Sequence, residues 1–228
     1  MSERMKSDLP THGSAPSIQT ACKPDEFLPD LSTGLICVTN RTLCQENFLT
    51  RMERLAKAHP AAILLREKDL TEAEYTELAR EVLRICKRHG VLCILHNYAD
   101  AARKLHHPAL HLPLPALRLL SDSERHSYQV LGASCHSVAD AKEAEALGCS
   151  YITAGHIFDT DCKKGLPGRG LEFLREVCSS VSIPVYAIGG ICPDHVASVK
   201  AAGAAGACIM SSAMTCADAD SYLASLHM

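Results

Sequence analysis

The sequence predicts a single eight-stranded (β/α)8 barrel, the TIM-barrel fold of the α/β class. Short apolar runs alternate with helical patterns eight times between residue 34 and the C-terminus. Short apolar runs separated by helices are typical of strands that are buried on both faces of a parallel sheet. The 228 residues also suit one such barrel, so we do not divide the chain further. An open doubly wound sheet is the alternative, but no G-x-G-x-x-G follows the first run.

The predicted strands are apolar runs bounded by glycine, proline or polar turn residues. They are Gly34–Val38, Ala61–Leu65, Val91–Leu95, Leu110–Leu112, Val130–Ala133, Tyr151–Ala154, Ile183–Ile188 and Ala207–Met210. Residues 1–33 mix Ser, Pro, Lys, Asp and Thr without periodicity. We therefore expect a flexible N-terminal extension at 1–33, followed by one catalytic barrel domain at 34–228.

The helices between these strands carry recognisable start and stop signals. Thr71-x-x-Glu74 is a capping box that opens a helix stopped by Gly90. Ser137 can cap a helix that ends at Gly148. Pro193 suits the first turn of a helix running to Ala202. Further helices are predicted through Phe48–Ala56, at Ala99–Leu105, at Leu171–Val181, and from Ser211 to the C-terminus.

Composition excludes several function classes. The net charge of −3, the absence of Trp and an aromatic content of 4% argue against a nucleic-acid surface. The 12 cysteines form no C-x-x-C pair, which favours a reduced enzyme over a disulfide scaffold. The chain also lacks the apolar core of a signal peptide and any run long enough to span a membrane. We expect a soluble cytoplasmic protein without nucleic-acid or membrane partners.

Polar side chains collect directly after the predicted strands, at the end where barrels carry their active sites. The candidate site residues are Arg66, Lys68, Asn97, Ser134, His136, Thr160, Lys163, Gly189, Gly190, Ser211 and Ser212. A strand, a glycine pair and a helix start form a turn that binds phosphate, because the helix N-terminus carries partial positive charge. The alternative for Arg66 is a simple ion pair with Glu67 or Asp69, and Lys163 could belong to a solvated turn.

His136 is the candidate proton-transfer group, since imidazole both accepts and releases a proton near neutral pH. The alternative is a polar loop histidine without a catalytic role. His106, His107 and His111 form a second group of histidines. They lack the spacing of a zinc site and have no acidic residue nearby, so we predict no metal there.

Four motifs in order make this chain resemble the thiamin phosphate synthase/TenI family of (β/α)8 barrels. They are L-R-E-K at Leu65–Lys68, G-A-S-C-H-S at Gly132–Ser137, A-I-G-G-I at Ala187–Ile191 and M-S-S-A at Met210–Ala213. The resemblance extends from about Gly34 to the end. It implies a phosphate site at Gly189, Gly190, Ser211 and Ser212.

Two branches of the family differ in their metal chemistry. In the synthase branch, aspartates after strands three and four hold Mg²⁺, which neutralises the leaving pyrophosphate. This chain has His96-Asn97 and Pro113-Leu114-Pro115-Ala116 at those places. We therefore expect no cofactor, with Mg²⁺ required only if the protein is a synthase. Lys68 matches a lysine that grips pyrophosphate in synthases.

The TenI branch resembles this chain better, because its loop G-H-x-F-x-T-D-C-K-K-G-L-x-G-R-G matches Gly155–Gly170. The resemblance implies a thiazole tautomerase, an isomerase of thiamin biosynthesis with His136 as its catalytic residue. Arg66 or Lys163 would then face the carboxylate of a small thiazole phosphate carboxylate substrate. The alternatives are a thiamin phosphate synthase and a non-catalytic regulatory protein that binds thiazole phosphate. Related barrels often pair, so we expect a homodimer.

Overall fold

The eight strands form a closed, all-parallel barrel in which neighbours in sequence are neighbours in space and β8 pairs with β1. The computed structural model describes residue 31 and residues 34–226. The strands are β1 (Gly34–Val38), β2 (Ala62–Leu65), β3 (Leu92–His96), β4 (Ala109–Pro113), β5 (Val130–Cys135), β6 (Tyr151–Gly155), β7 (Val185–Ile188) and β8 (Gly206–Ile209). The predicted barrel is therefore confirmed. The predicted flexible extension lies outside the described residues, apart from Leu31.

Helices follow the strands and cover the outside of the barrel. They are α1 (Phe48–Lys57), α2 (Glu72–His89), α3 (Ala99–Lys104), α4 (Leu114–Leu117), α5 (Asp122–His126), α6 (Val138–Ala146), α7 (Gly170–Ser180), α8 (Val196–Ala201), α9 (Ser211–Thr215) and α10 (Ala219–Ala224). The Thr71 capping box and the Ser137 cap are both present as predicted. Within residues 34–226, no helix is long and apolar enough to cross a membrane.

Several predicted boundaries differ from the structure. The seventh strand begins at Val185 rather than Ile183, because Pro184 has no N–H to contribute to the ladder. The helix after the glycine pair begins with a 3-10 turn at Pro193–His195 before α8. The single predicted C-terminal helix is two helices. The first ends at Thr215, where Cys216 takes a non-helical backbone conformation, and Asp218 caps α10 by accepting a hydrogen bond from the Asp220 N–H.

Side chains of each strand alternate between the barrel interior and the helix layer, as the two-residue period of a strand requires. Tyr151 and Tyr186 belong to the apolar cluster inside the barrel. Leu110 and Leu112 of β4 belong to the larger cluster between sheet and helices. The same alternation, continued past the strand ends, decides which loop side chains enter the mouth of the barrel.

Candidate active site

A cavity of about 590 Å³ opens at the carboxyl ends of the strands. Its lining includes every predicted site residue except Asn97. These are Arg66, Lys68, Ser134, His136, Thr160, Lys163, Gly189, Gly190, Ser211 and Ser212. Residues that are spread over the sequence from position 66 to position 212 thus line one cavity. They meet because parallel strands place all their carboxyl ends on the same face of the barrel.

Asn97 lies apart from this cavity. On β3 the inward residues are Leu92 and Ile94, so the alternation places His96 at the cavity and turns Asn97 away. The Asn97 backbone is left-handed, with φ of 72°, and its N–H donates to the carbonyl of His111 at 3.0 Å. The Asn97 side chain is exposed, so its predicted contact with the substrate is not supported by its position.

Three cations, Arg66, Lys68 and Lys163, line the cavity. Burial, followed by the charges of Arg66 and Lys163, lowers the pKa of Lys68. Burial also lowers the pKa of Arg66. Among the described residues, no Asp or Glu lines this space. The positive charges therefore lack a carboxylate counterpart here, and an anion is the ligand that would relieve their repulsion.

Glu67 and Asp69, the alternative ion-pair partners of Arg66, form their hydrogen bonds and ion pairs with other residues. The Glu67 carboxylate, 1% exposed, accepts a hydrogen bond from the Thr39 hydroxyl at 2.5 Å. It also accepts one from the Arg41 N–H at 2.9 Å. Asp69 pairs with the Arg41 guanidinium at 2.5 Å. The Arg66 guanidinium instead contacts the sulfur of Met210, the residue directly before α9, at 3.8 Å.

The glycine pair after β7 allows a close backbone approach that no other residue would permit. Gly189 and Gly190 have φ of 98° and 67°, in the left-handed region. A Cβ on Gly189 would lie 2.4 Å from Cβ of His156, and one on Gly190 would lie 2.5 Å from the Asp159 carbonyl oxygen. The turn therefore packs against the loop after β6 and faces the cavity without side chains.

The loops after β6 and β8 meet beside this glycine turn. Thr160 caps a 3-10 turn at Asp161–Lys163, which carries Lys163 to the mouth. The Cys162 sulfur lies 3.7 Å from the Ser211 hydroxyl. Ser211 begins α9, and no side chain caps this helix. Its first N–H groups therefore have no partner within the helix and can bind an anion.

His136 stands at the cavity with a defined ring orientation. Its Nδ1 lies 3.0 Å from the Gly155 carbonyl oxygen, and its backbone N–H donates to Asp140 Oδ2 at 2.8 Å. A carbonyl oxygen can only accept, so Nδ1 carries the hydrogen of a neutral ring. Nε2 then keeps its lone pair, which is the form that removes a proton from a substrate.

Two further histidines, here called the floor of the site, were not among the predicted site residues. His96 lines the cavity, and His111 lies behind the lining, within hydrogen-bond distance of Ser134. His111 is 1% exposed, and its Nδ1 and Nε2 each lie 2.9 Å from a hydroxyl oxygen, of Tyr151 and Ser134 respectively. The His96 ring stacks on His111 at 5.7 Å between centroids, and its Nδ1 has no hydrogen-bond partner among the described residues.

Both floor imidazoles are neutral. Burial, followed by neighbouring His111, Arg66 and Lys68, lowers the pKa of His96 to about 2. Burial lowers the pKa of His111 to about 3. The two-residue alternation along β3 and β4 was the signal that could have placed both rings inside the barrel.

The comparisons with known proteins agree on one family. The sequence model of the thiamine monophosphate synthase (TMP-TENI) family matches residues 35–213. The chain belongs to this family. The thiamine-phosphate synthase of Moorella thermoacetica is 38% identical over 164 residues, covering 69% of this chain and 76% of that protein. That of Caldivirga maquilingensis is 31% identical over 188 residues, covering 82% and 92%.

A solved structure gives the same assignment. The thiamine phosphate pyrophosphorylase of Pyrococcus furiosus superposes with a TM-score of 0.73 at 26% identity, covering 86% of this chain and 94% of that one. The relatives are thus named as enzymes of thiamine-phosphate formation. The solved relative shares the fold of this chain over the superposed length.

The residues of this family member do not fit the magnesium ion that the synthase branch uses. Mg²⁺ prefers carboxylate and water oxygens in octahedral geometry. The mouth carries His96 and Pro113 at the ends of β3 and β4, and no carboxylate lines the cavity within the described part of the chain. In that same part, no three His, Cys, Asp or Glu side chains cluster closely enough to hold a metal ion.

Proposed function

We propose that this member of the thiamine monophosphate synthase family is a thiazole tautomerase. It would convert the ylidene form of a thiazole carboxylate phosphate into its aromatic isomer. The observation that carries this proposal is the His136 ring, whose Nδ1 donates to the Gly155 carbonyl and whose Nε2 is available at a carboxylate-free cavity. Tautomerisation needs a proton shuttle and no electrophilic metal, which is the chemistry that this residue set can supply.

The reaction is an internal proton transfer, so nothing is gained or lost overall. Nε2 of His136 removes the proton from the ring carbon of the ylidene form. The electron pair moves through the ring to the exocyclic carbon as the ring becomes aromatic. The imidazolium then returns the proton to that exocyclic carbon, and His136 is again neutral for the next turnover.

The polar residues at the mouth of the cavity, here called the rim, would hold the two anionic groups of the substrate. The phosphate would bind at the Gly189–Gly190 turn and the uncapped start of α9 at Ser211 and Ser212. Arg66 or Lys163 would face the carboxylate, and Thr160 and Lys68 would complete the rim. Fixing the phosphate away from His136 would keep the reacting carbons within reach of Nε2.

The second candidate function is thiamine-phosphate synthase itself, and the names of the relatives favour it. That reaction joins a pyrimidine diphosphate to the thiazole phosphate and releases pyrophosphate. Here Lys68 and its neighbouring cations would have to stabilise the leaving pyrophosphate without a metal-binding carboxylate. The two functions therefore differ in their substrates as well as in their dependence on His136.

The test measures both reactions with purified wild-type protein and with His136→Asn. We expect fast tautomerisation by the wild type and a decrease of roughly 10²- to 10⁴-fold in the variant, the usual contribution of a general acid–base. His126→Asn is the control, because His126 is exposed on α5 and outside the cavity lining. It should tautomerise at the wild-type rate.

One outcome would count against the role of His136, and two would count against the tautomerase. Equal rates in wild type and His136→Asn would remove His136 from the mechanism and direct attention to His96 or His156. Formation of thiamine phosphate without tautomerisation would establish the synthase. Tight ligand binding with neither reaction would identify a non-catalytic regulatory protein.

A further inference from the structure

A buried hydrogen-bond chain runs through the barrel interior to the floor of the cavity. The Tyr151 hydroxyl of β6 lies 2.9 Å from Nδ1 of His111 on β4. Nε2 of the same ring lies 2.9 Å from the Ser134 hydroxyl on β5. Ser134 lines the cavity, whereas Tyr151 is fully buried. The hydrogen-bond chain therefore connects the closed interior of the barrel with the cavity.

The direction of each hydrogen bond follows from Tyr151. Burial raises the pKa of its hydroxyl well above the ordinary value, so the oxygen keeps its hydrogen. Among the described residues, the hydrogen-bond partner of this hydroxyl is Nδ1 of His111. Leaving a buried hydroxyl hydrogen without an acceptor is destabilising, so Tyr151 donates and Nδ1 accepts.

His111 must then carry its hydrogen on Nε2, because a neutral imidazole has one N–H. That hydrogen is donated to the Ser134 oxygen. The hydroxyl hydrogen of Ser134 is consequently not needed for His111 and can be donated into the cavity. Since the pKa of His111 is lowered to about 3 by burial, this order of donors persists at every pH near neutrality.

Gly132 provides the space for this hydrogen-bond chain. A Cβ at this position would lie 2.4 Å from two ring carbons of Tyr151 and 2.6 Å from Nδ1 of His111. Gly132 thus serves packing rather than a special backbone angle, because it lies within β5 and takes no left-handed φ. Absence of a side chain at Gly132 lets the tyrosine and the histidine meet.

We propose that Tyr151 and His111 are positioning residues that present the Ser134 hydroxyl as a fixed hydrogen-bond donor to an acceptor at the ring end of the bound ligand. The proposal rests on the thiazole phosphate carboxylate as ligand, whose ring nitrogen and carboxylate form one acceptor edge. Ser134 is on β5 and lies two residues before His136, which directly follows the end of that strand, and both residues line the cavity. It would therefore hold the ring beside the proton-transfer group and select ligands that carry this acceptor.

The first measurement is the tautomer of His111, read from its ¹⁵N chemical shifts in the ligand-free protein. We expect Nδ1 without hydrogen and Nε2 with hydrogen in the wild type. Tyr151→Phe should lose this preference, because nothing then donates to Nδ1. Tyr186→Phe is the matched control, since its hydroxyl donates to the Leu31 carbonyl at 2.9 Å rather than to His111. An Nδ1–H tautomer in the wild type would overturn the proposal whatever reaction the protein catalyses.

The second measurement is the affinity for two probes, the aromatic carboxythiazole phosphate and inorganic phosphate. Tyr151→Phe and Ser134→Ala should each weaken binding of the carboxythiazole phosphate by about tenfold, the value of one hydrogen bond. Both should bind inorganic phosphate as the wild type does, and Tyr186→Phe should change neither affinity. Ser134→Ala should also keep the His111 tautomer, since Tyr151 still donates.

The two measurements separate failure of the proposal from failure of the proposed function. Unchanged affinity for carboxythiazole phosphate in Ser134→Ala would refute the donor role even if the tautomer is as expected. Equal weakening for both probes would assign Ser134 to phosphate binding and also refute it. A protein that shows the expected tautomer and affinities but no turnover would retain the proposal and lose the tautomerase.

Discussion

The rim and the floor of the cavity are built on opposite electrostatic principles. The rim carries Arg66, Lys68 and Lys163 on loops that reach solvent. The floor carries His96 and His111, which are 5% and 1% exposed and neutral because burial lowers their pKa values. Charge is retained where water can solvate it and is removed where water is excluded.

This difference divides recognition between the two regions. Clustered cations at the rim attract an anion without regard to the rest of the ligand. Neutral hydrogen-bonding groups on the floor distinguish ligands by whether the facing ligand atom donates or accepts a hydrogen bond. An unpaired buried polar group costs free energy, so a ligand with the wrong group binds more weakly. We therefore expect changes at the rim to alter phosphate affinity, and changes on the floor to alter stability and ring selectivity.

The largest effect should come from removing a rim charge. Arg66→Met should weaken binding of inorganic phosphate and of the carboxythiazole phosphate by roughly 10- to 100-fold, because a charged hydrogen-bond donor is lost. Titration calorimetry measures both affinities. Lys164→Met is the matched control, since Lys164 is exposed on the same loop as Lys163 but outside the cavity lining, and should bind as the wild type does. Equal affinities in the two variants would show that Arg66 does not hold an anion.

An effect of comparable size should follow from filling the space at Gly132 on the floor. Gly132→Ala should lower the free energy of unfolding by about 1–3 kcal/mol, the usual cost of overpacking a core. The clash is with ring carbons, so Tyr151→Phe in the same chain should not relieve it, whereas Tyr151→Leu should recover part of the loss. Urea unfolding measures all three variants. Full recovery by Tyr151→Phe would mean that the hydroxyl, and not the ring, meets the new methyl group.

The smallest effect concerns pH. The folded pKa of His96, about 2, lies below the roughly 6.5 of an unfolded chain, so the unfolded state binds the proton first. The stability that His96 supports is complete above pH 6.5 and decreases as pH falls from there. Between pH 7.5 and 5.5 this one group should cost the wild type about 1.4 kcal/mol, a loss that His96→Gln should not show.

The check is urea unfolding at both pH values. His126→Gln is the control and should keep the wild-type pH dependence, because it changes an exposed residue and leaves His96 buried in the barrel. A His96→Gln variant that is as acid-sensitive as the wild type would show that His96 is not a buried neutral group.

The local sequence was sufficient to predict the barrel, because strand period, glycine stops and capping boxes act over a few residues. It also predicted the cavity residues at the strand ends, since parallel strands must present all these ends on one face. Asn97 lies outside the cavity lining because a one-residue step along a strand reverses the direction of a side chain. Had the inward period of Leu92 and Ile94 been continued, it would have selected His96 instead.

The barrel closure alone decided which residues meet across its interior. The Tyr151 hydroxyl and His111 are 40 positions apart in the sequence, and Ser134 is 23 from His111. No local pattern indicates that a tyrosine on β6 will donate to a histidine on β4, because the distance between them depends on the register of three paired strands. The burial that keeps His96 and His111 neutral is likewise a property of the closed barrel, since it requires every strand to be in place.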